Sequence, residues 1–358
     1  MRSAGPGSEP PARPTQSPAP SASAIEWLDT ARVVSVLAVV LLHVAAHGVT
    51  SQGVGTLPWW IANAADSAVR WCMPVLVMIS GALLLHSDRH SEPALVLYRK
   101  RLRRVLLPLL GWTLVYSLWN QRGMDLNAGE RLAHALEGIG RGAPHYHLWF
   151  LYMITVLYMF VPLLRALVAA ASRRVLTLLA VAGFVLAAWA ELQGSLRGAP
   201  VLRHPLVFLG FLPYFIAGHL LATAHTLPRQ RTLWAGAAVS MLATAVGCFM
   251  LSRAHGIEAG LYFYAYLSLT VIPMSLAAAA LLRSVPLPGT GSLRRLAPLT
   301  LGIYLVHPLL LELANADILL RAGVWPGVVL PMLTLVLFVA SAGIAAALTR
   351  IPGVRGLV

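Results

Sequence analysis

The chain has 358 residues, of which 58% are hydrophobic and only 11% are charged, and its mean hydropathy is +0.73. This composition excludes a soluble globular protein and predicts a helical membrane protein. The net charge of +14 is typical of nucleic-acid-binding proteins, but most of the 27 basic residues lie between apolar segments on one side of the predicted membrane. The charge therefore orients the protein against anionic lipid, and we expect no nucleic-acid partner.

Apolar segments of membrane length recur along the chain and predict an all-α, polytopic membrane bundle of about ten transmembrane helices. Because most Lys and Arg residues fall on the side that holds the N-terminus, the positive-inside rule places both termini in the cytoplasm. The predicted spans are 27–50, 68–85, 104–119, 147–167, 175–192, 205–222, 233–251, 261–282, 298–314 and 324–348.

The predicted membrane domain occupies residues 25–350, between two short tails. Residues 1–24 are rich in Pro, Ser, Ala and Gly without periodicity, which predicts a disordered cytoplasmic tail. Residues 351–358 are expected to form a second cytoplasmic tail. In the longest predicted external loop, 121–146, an amphipathic stretch at 126–136 predicts a re-entrant or surface helix.

Two cysteines, Cys72 and Cys248, lie toward the same side of their predicted spans. A disulfide is conceivable, but buried and inert thiols are the favoured interpretation, because free cysteine behaves as a small apolar residue. We find no metal-ligand spacing in the sequence and expect no metal.

The first predicted span carries ionisable residues along one face. Arg32 and His43 are eleven residues apart, which at 100° per residue places them on one helix face, about 16 Å apart along the axis. His47 continues this stripe, and Asp29 precedes Arg32 by one turn. Ionisable groups within a bilayer are costly, so the aligned pair indicates a site, although Arg32 alone could snorkel. Desolvation favours a neutral His43, the form that a general base needs.

A basic run at 98–104 leads into the third predicted span. Arg101 and Arg104 are three residues apart on one helix face, a geometry that suits clamping a polyphosphate such as that of coenzyme A. Charges at the entrance of a span also orient it in the membrane. The residues themselves do not decide between these two roles.

A histidine also lies in the middle of the ninth predicted span, in the segment GIYLVHP. Pro308 loosens the helix, and His307 has a depth similar to that of His43, with Tyr304 one turn away. The two histidines could share one cavity. Equally, His307 could satisfy a backbone carbonyl that the proline leaves free.

Aromatic residues and histidines cluster at the start of the fourth predicted span, in the segment HYHLWF. His147 and Trp149 belong to this cluster, which is typical of an aromatic belt at the membrane interface and also suits sugar stacking. Single polar residues within spans are weaker signals, typical of hydrogen bonds between helices. They are Ser80, His219, Glu191 and Glu312.

These motifs, and their order along the chain, resemble those of the integral-membrane acyltransferase 3 family. The members of this family are bacterial enzymes that O-acylate surface polysaccharides and related acceptors. The resemblance covers about residues 25–315, and Val33 departs from it where the family has a small residue. A segment similar to the subgroup that acetylates enterobacterial common antigen begins at His147 and reads HLWFLY. The other matching motifs are Arg32-x10-His43, MPVLVMISGALLL, Arg101-x-x-Arg104 before Leu-Pro, and Tyr304-Leu-Val-His-Pro.

The resemblance implies a multi-pass enzyme of the bacterial inner membrane that moves an acyl group, most simply acetyl, from cytoplasmic acetyl-CoA to a hydroxyl of a cell-surface or lipid-linked glycan. Arg32, Arg101 and Arg104 would hold the coenzyme A phosphates. His43 would deprotonate the acceptor hydroxyl or accept the acyl group itself. Residues expected to line the substrate path are Asp29, His47, Ser80, His147, Trp149, Tyr304 and His307.

The expected partners are acyl-CoA, a glycan acceptor, the lipid bilayer and polysaccharide-assembly proteins. The identity of the acceptor, and the choice between acetyl and succinyl, stay open. A transporter that exports a glycan or small molecule is the main alternative, since buried histidines can carry protons, but we see no inverted repeat. A non-catalytic sensor is the third interpretation, and no signalling domain supports it.

Overall fold

The computed structural model describes residues 22–86, 93–140, 145–198, 206–285, 291, 295–314 and 325–358. These residues are almost entirely helical and contain no strand, which confirms the predicted all-α class. The helices are α1 (Ala22–Ser51), α2 (Leu57–Val69), α3 (Cys72–Leu84), α4 (Ala94–Asn120), α5 (Ala128–Gly140), α6 (Trp149–Met159), α7 (Val161–Ala170), α8 (Arg173–Arg197), α9 (Leu212–Ala222), α10 (Gln230–His255), α11 (Ile257–Gly260), α12 (Val271–Ser284), α13 (Thr300–Ala314) and α14 (Pro326–Arg350).

Within the described residues, six helical stretches are long and apolar enough to cross a membrane. The bent pair α6 and α7 makes a seventh if it forms one span, and two further apolar segments are shorter. The protein is therefore a multi-pass helical membrane protein. Helix length and composition identify six or seven candidate spans among the described residues, fewer than the ten predicted from the sequence. The six stretches are Trp27–Ser51, Leu57–Leu84, Arg173–Arg197, Gln230–His255, Ala297–Ala314 and Pro326–Arg350.

The predicted count is higher because hydropathy does not register where a helix breaks. The predicted span 147–167 bends by 50° between α6 and α7, where Pro162 occupies the first turn of α7 and has no N–H to continue the ladder. The predicted spans 205–222 and 261–282 begin with 3₁₀ turns at Leu206–Phe211 and Leu261–Tyr264, which shortens their α-helical parts.

The second predicted span begins too late. Its helix starts at Leu57, where the side chain of Thr56 accepts a hydrogen bond from the backbone N–H of Trp59, and it runs with a short interruption to Leu84. Residues 57–67, which lie outside the predicted span, include polar residues. Two of these, Asn63 and Asp66, are fully buried in the structure.

α1 and the α2–α3 stretch form the centre of the bundle. In their most apolar windows, 61% of the α1 residues and 72% of the α2–α3 residues are buried, against 28% for α8 and for α10. α1 packs against α2, α3, α13 and α14. The residues of α1 that face inward therefore meet other helices, whereas α8 and α10 present most of their apolar side chains to lipid.

Two glycines bring α3 and α9 into backbone contact. A methyl group on Gly81 would overlap the carbonyl oxygen of Phe215, and one on Gly218 would overlap that of Met78. Close approach through small residues is typical of helix pairs in membranes. The glycine of the Ser-Gly motif therefore has a packing role, and it fixes the position of the neighbouring Ser80.

The helix predicted at 126–136 is present as α5. Asn127 and Glu130 form a reciprocal cap, in which each side chain accepts a hydrogen bond from the other residue's backbone N–H. Leu132 and Leu136 are exposed on one face of α5. This apolar face is typical of a helix that lies at a membrane surface.

Both predicted tails can be compared with the structure only in part. Of the tail at 1–24, residues 1–21 lie outside the described residues, and α1 begins at Ala22. The segment 351–358 turns back onto α4, where the Trp112 indole N–H donates a hydrogen bond of 2.9 Å to the Leu357 carbonyl. Cys72 and Cys248 are both buried and free, as the inert interpretation predicts.

Candidate active site

The ionisable stripe on α1 begins with an ion pair. Arg32 Nη1 lies 2.9 Å from Asp29 Oδ1, one turn away, and the two side chains are 30% and 28% exposed. Asp29 therefore orients the guanidinium and offsets part of its charge. Because α1 is a continuous helix, Arg32 and His43 project from the same face, as the spacing predicts.

A cavity of about 340 Å³, which we call the arginine cavity, opens beside Arg32. Arg101 and Arg104 of α4 also line it, so arginines from two helices that are far apart in the sequence share one cavity. Its remaining lining is mostly apolar, with Val36 of α1 among these residues. Its polar lining includes Ser80, Thr300, Tyr158 and Tyr304.

The arrangement of the arginine cavity suits a ligand with an anionic head and an apolar arm. Guanidinium groups bind phosphate through charge-assisted hydrogen bonds, and the volume lies in the range of small-molecule sites. The other basic residues of the run, Arg99, Lys100 and Arg103, do not line this cavity and line a second hollow on α4, to which Arg104 also contributes. Arg104 thus lies between the two surfaces of the basic run, whereas Arg101 lines only the arginine cavity.

His43 is hydrogen-bonded to a second histidine on α13. His43 Nδ1 lies 2.9 Å from His307 Nε2, and His307 Nδ1 lies 3.1 Å from the carbonyl oxygen of Ile303. A carbonyl only accepts, so His307 Nδ1 carries the proton and its Nε2 accepts from His43 Nδ1–H. This tautomer leaves the lone pair of His43 on Nε2, where a general base needs it.

A second hydrogen-bonded pair of histidines lies beside the first. His145 Nε2 lies 2.8 Å from Glu312 Oε1, and His145 Nδ1 lies 3.0 Å from His147 Nδ1. With Glu312 ionised, His145 donates to the carboxylate and accepts from His147, which leaves the lone pair of His147 on Nε2. That nitrogen is buried without a hydrogen-bond partner among the described residues. Both pairs therefore end in an unprotonated Nε2.

The two pairs form one histidine cluster, consisting of His43, His145, His147 and His307. The rings of His147 and His307 are 6.1 Å apart between centroids. Tyr304, which lines the arginine cavity, donates a hydrogen bond from its hydroxyl to the backbone carbonyl of His147. Tyr304 therefore links the arginine cavity to the cluster, although none of the four histidines lines the cavity itself.

Glu312 connects the cluster to the end of α4 and to the residue Arg122 that follows this helix. Its carboxylate also accepts a hydrogen bond of 2.7 Å from the indole N–H of Trp119, and it lies 3.4 Å from Arg122. Burial lowers the pKa of His145, and the charge of Glu312 opposes this shift. Among the described residues, no group of three or more His, Cys, Asp and Glu side chains could hold a metal ion.

The predicted site residues fall into two groups, which Tyr304 links. Arg32, Ser80, Arg101, Arg104 and Tyr304 line the arginine cavity, and Asp29 pairs with Arg32. His43, His147 and His307 do not line the cavity and belong to the histidine cluster. His47 and Trp149 belong to neither group, and Trp149 stacks on Tyr266 with ring centroids 5.5 Å apart.

Three residues have a larger part in the site than the sequence indicates. His145 was visible only as part of the HYHLWF segment, and Glu312 only as a single acidic residue near the end of a span. In the sequence, Tyr158 is only one more aromatic residue after the HLWFLY segment. In the structure, its hydroxyl lies 3.4 Å from Ser80 Oγ. Spacing along the chain carries no signal for the contacts of these residues, because their partners lie on other helices.

A family model described as an acyltransferase domain, that of the acyltransferase 3 family, matches residues 25–350. No curated protein and no solved structure has a significant match to the chain. The matched range includes every helix of the described bundle except the first turn of α1. The chain therefore belongs to the acyltransferase 3 family and is a multi-pass membrane acyltransferase.

Proposed function

We propose that the protein is an O-acyltransferase, most simply an O-acetyltransferase, that moves an acyl group from cytoplasmic acyl-CoA to a hydroxyl of a cell-surface or lipid-linked glycan. The observation that carries the proposal is a cavity that three arginines line and that Tyr304 links to a histidine cluster. Membership of the acyltransferase 3 family supports the reaction class. The HLWFLY segment supports a polysaccharide acceptor, as in the subgroup that it resembles.

In this proposal, Arg32, Arg101 and Arg104 bind the phosphates of acetyl-CoA. Arg104 is exposed and Arg32 is partly exposed, so both can reach a ligand from solvent. The apolar lining beyond them, which includes Leu76 and Ile79, suits the pantetheine arm and excludes water from the thioester.

His43 is the proposed general base. Its Nε2 takes the proton of the acceptor hydroxyl, and the oxygen attacks the thioester carbonyl. The carbon–sulfur bond then breaks, and the departing thiolate takes a proton from the imidazolium, so that free coenzyme A and an ester are formed. The bond from His43 Nδ1 to His307 holds the imidazole in the required tautomer and stabilises its charged form. An acyl group held on His43 is the alternative course of the same reaction.

The proposed setting is the bacterial inner membrane, with both termini in the cytoplasm. The short apolar helices at Leu206–Ala222 and Val271–Ser284, with α4 and the bent α6–α7 pair, would complete about ten crossings. The arginine end of α1 then faces the cytoplasm, where acyl-CoA is found. Polysaccharide-assembly proteins on the opposite side would deliver or remove the glycan.

The test is acyl transfer by the purified full chain in lipid nanodiscs. With radiolabelled acetyl-CoA and cell-surface glycan as acceptor, we expect release of free coenzyme A and label in the glycan as an alkali-labile ester. A transporter would consume no acetyl-CoA. Intact acetyl-CoA in the presence of glycan would overturn the proposal, and label retained on the protein after denaturation would favour the acyl-histidine course.

A further inference from the structure

A second cavity of about 300 Å³, which we call the ion-pair pocket, opens near the Ser51 end of α1. We infer that this pocket binds two neighbouring hydroxyl groups of the sugar acceptor. The inference rests on the proposed function and assigns an acceptor subsite within it. The residues of the pocket that carry the argument are Ala46, Thr50, Asp66, Arg70, Tyr264 and Tyr266.

The ion-pair pocket lies on the same face of α1 as the arginine cavity, on the other side of His43. Val36 of the arginine cavity precedes His43 by seven residues, and Thr50 of the ion-pair pocket follows it by seven, so each lies within about 20° of the direction of His43. Ala46 begins the pocket one turn beyond His43. The candidate base therefore lies between the two cavities, where a donor and an acceptor would meet.

The charges in the ion-pair pocket neutralise each other. Arg70 Nη2 lies 2.6 Å from Asp66 Oδ2, and the Asp66 side chain is fully buried. The same guanidinium donates 3.3 Å to the Tyr264 carbonyl and lies 4.1 Å above the Tyr264 ring. A pocket that contains one buried cation and one buried anion is poorly suited to a polyphosphate. It is suited to a neutral polar ligand.

Two buried polar atoms of this pair have no partner among the described residues. They are Oδ1 of Asp66, which can only accept, and Nε–H of Arg70, which can only donate. Buried polar groups are nearly always hydrogen-bonded, so an unpaired acceptor and an unpaired donor on two residues of one pocket indicate a ligand that supplies the complement. A pair of neighbouring hydroxyls does so, since one can donate to Asp66 while the other accepts from Arg70.

The polar side chains packed behind the ion pair are paired within the protein. Asn63 Oδ1 accepts hydrogen bonds from the hydroxyls of Tyr264, at 2.6 Å, and Ser67, at 3.1 Å, and Asn63 Nδ2 donates to the Ala245 carbonyl. This network holds Tyr264 against Arg70. Among the residues that line the pocket, Asp66 and Arg70 carry the unpaired atoms, and the tyrosines add flat apolar surface against which a sugar ring can pack.

The test measures sugar binding to the full chain in nanodiscs by saturation-transfer NMR. The probes are the methyl glycosides of glucose, galactose and mannose, which together present the common arrangements of neighbouring hydroxyls, and inorganic phosphate as an anion. We expect at least one glycoside to bind in a saturable way without competition from phosphate. In Arg70→Lys and Asp66→Asn, its Kd should rise about tenfold or more, as expected when a site built for hydroxyls loses its partners.

Two further variants separate binding from folding. Thr50→Phe changes an exposed residue at the pocket and should block binding with the ion pair intact. Arg253→Lys changes an exposed arginine on α10 that does not line the pocket and should bind as wild type. The inference is overturned if none of the three glycosides binds, if all three pocket variants bind like wild type, or if phosphate competes with the glycoside.

Acetyl-CoA consumption, measured on the same samples, separates this inference from the proposed function. In one outcome, a glycoside binds in a saturable way and Arg70→Lys weakens this binding, but no glycan causes release of coenzyme A. This outcome would refute the proposed reaction and support the sugar site. Release of coenzyme A whose dependence on acceptor concentration is the same in wild type, Asp66→Asn and Arg70→Lys would uphold the reaction and remove the ion-pair pocket from it.

Discussion

The two cavities on the central face of α1 contain the same type of cation in opposite electrostatic settings. In the arginine cavity, three arginines belong to the lining, and Asp29 pairs with Arg32 at a partly exposed position. In the ion-pair pocket, one arginine is held against one fully buried carboxylate. The first site has several guanidinium groups near solvent, whereas the second has a single buried cation beside a buried anion.

This difference indicates what each cavity can recognise. Several guanidinium groups in a partly exposed cavity favour a polyanion, because the ligand replaces water around charges that were never fully buried. A buried, neutralised pair gains little from an anion and instead discriminates through the direction of its unpaired hydrogen-bonding atoms. The proposed base His43 lies between the two cavities along α1, so the proposed donor and acceptor would be selected by different physical means.

The largest expected effect comes from His43→Ala, which removes the group between the cavities and leaves both in place. We expect kcat for acyl transfer to fall by about 10²- to 10⁴-fold, the usual contribution of a general base. Donor and acceptor affinity should change little. The measurement is release of coenzyme A with time, with His134→Ala on the exposed surface of α5 as control. Full activity in the His43 variant would show that His43 is not the general base.

The second effect distinguishes the arginine cavity from the rest of the basic run. Arg104→Ala should raise KM for acetyl-CoA by about 10- to 100-fold, because a charge-assisted hydrogen bond contributes about 1.5–3 kcal/mol, and should leave KM for the acceptor unchanged. Arg101→Ala should act in the same direction.

Arg103→Ala is the matched control, since it removes the same charge from the same run but from the face that does not line the cavity. An equal rise in donor KM for Arg103→Ala and Arg104→Ala would mean that the run acts through net charge alone. In that case, the contrast between the two cavities would no longer depend on which residues line them.

A smaller effect is expected from Glu312→Gln. The amide keeps the shape of the side chain but cannot hold His145 in the same orientation by a charged bond, so the second histidine pair loses its fixed tautomer. We expect kcat to fall by about tenfold with donor KM unchanged. Steady-state kinetics provide the check, with Glu258→Gln on an exposed turn as control. An effect on donor KM alone would place Glu312 with the arginine cavity instead.

The smallest effect is expected from Ser80→Ala within the arginine cavity. Ser80 Oγ lies 3.2 Å from the Leu76 carbonyl and 3.4 Å from the Tyr158 hydroxyl, so its loss removes weak neutral bonds only. We expect kcat/KM for acetyl-CoA to fall by about threefold. Gly81→Ala should instead lower thermal stability, since its methyl group meets the backbone of α9. A large kinetic effect of Ser80→Ala with unchanged stability would indicate direct contact with the donor.

Much of the candidate site follows from local periodicity. The positions of Arg32 and His43 on one face, and of Arg101 and Arg104 on another, require only 3.6 residues per turn. Membrane depth also follows from position within an apolar segment, which is how His307 was placed level with His43. The family motifs could be read for the same reason, because each one lies within a single helix or at its end.

Other features of the helices could not be read from a local pattern. Burial of Asn63 and Asp66 extends the second helix back to Leu57, although polar residues in a sequence predict a loop or a surface. The break at Phe160 divides a segment that is apolar throughout. In both cases, hydropathy measures the side chains, whereas the helix is decided by where the backbone and polar groups find hydrogen bonds.

The sequence by itself determined that the chain is a helical membrane protein, that one face of α1 carries Arg32 and His43, and which family motifs it contains. Only the tertiary structure decided that His43 bonds to His307, that Glu312 holds the His145–His147 pair, and that a second cavity lies beyond His43. The reason is that a helix repeats a local rule, residue after residue. The contacts from His43 to His307 and from His145 to Glu312 join residues 264 and 167 positions apart, and no local rule relates them.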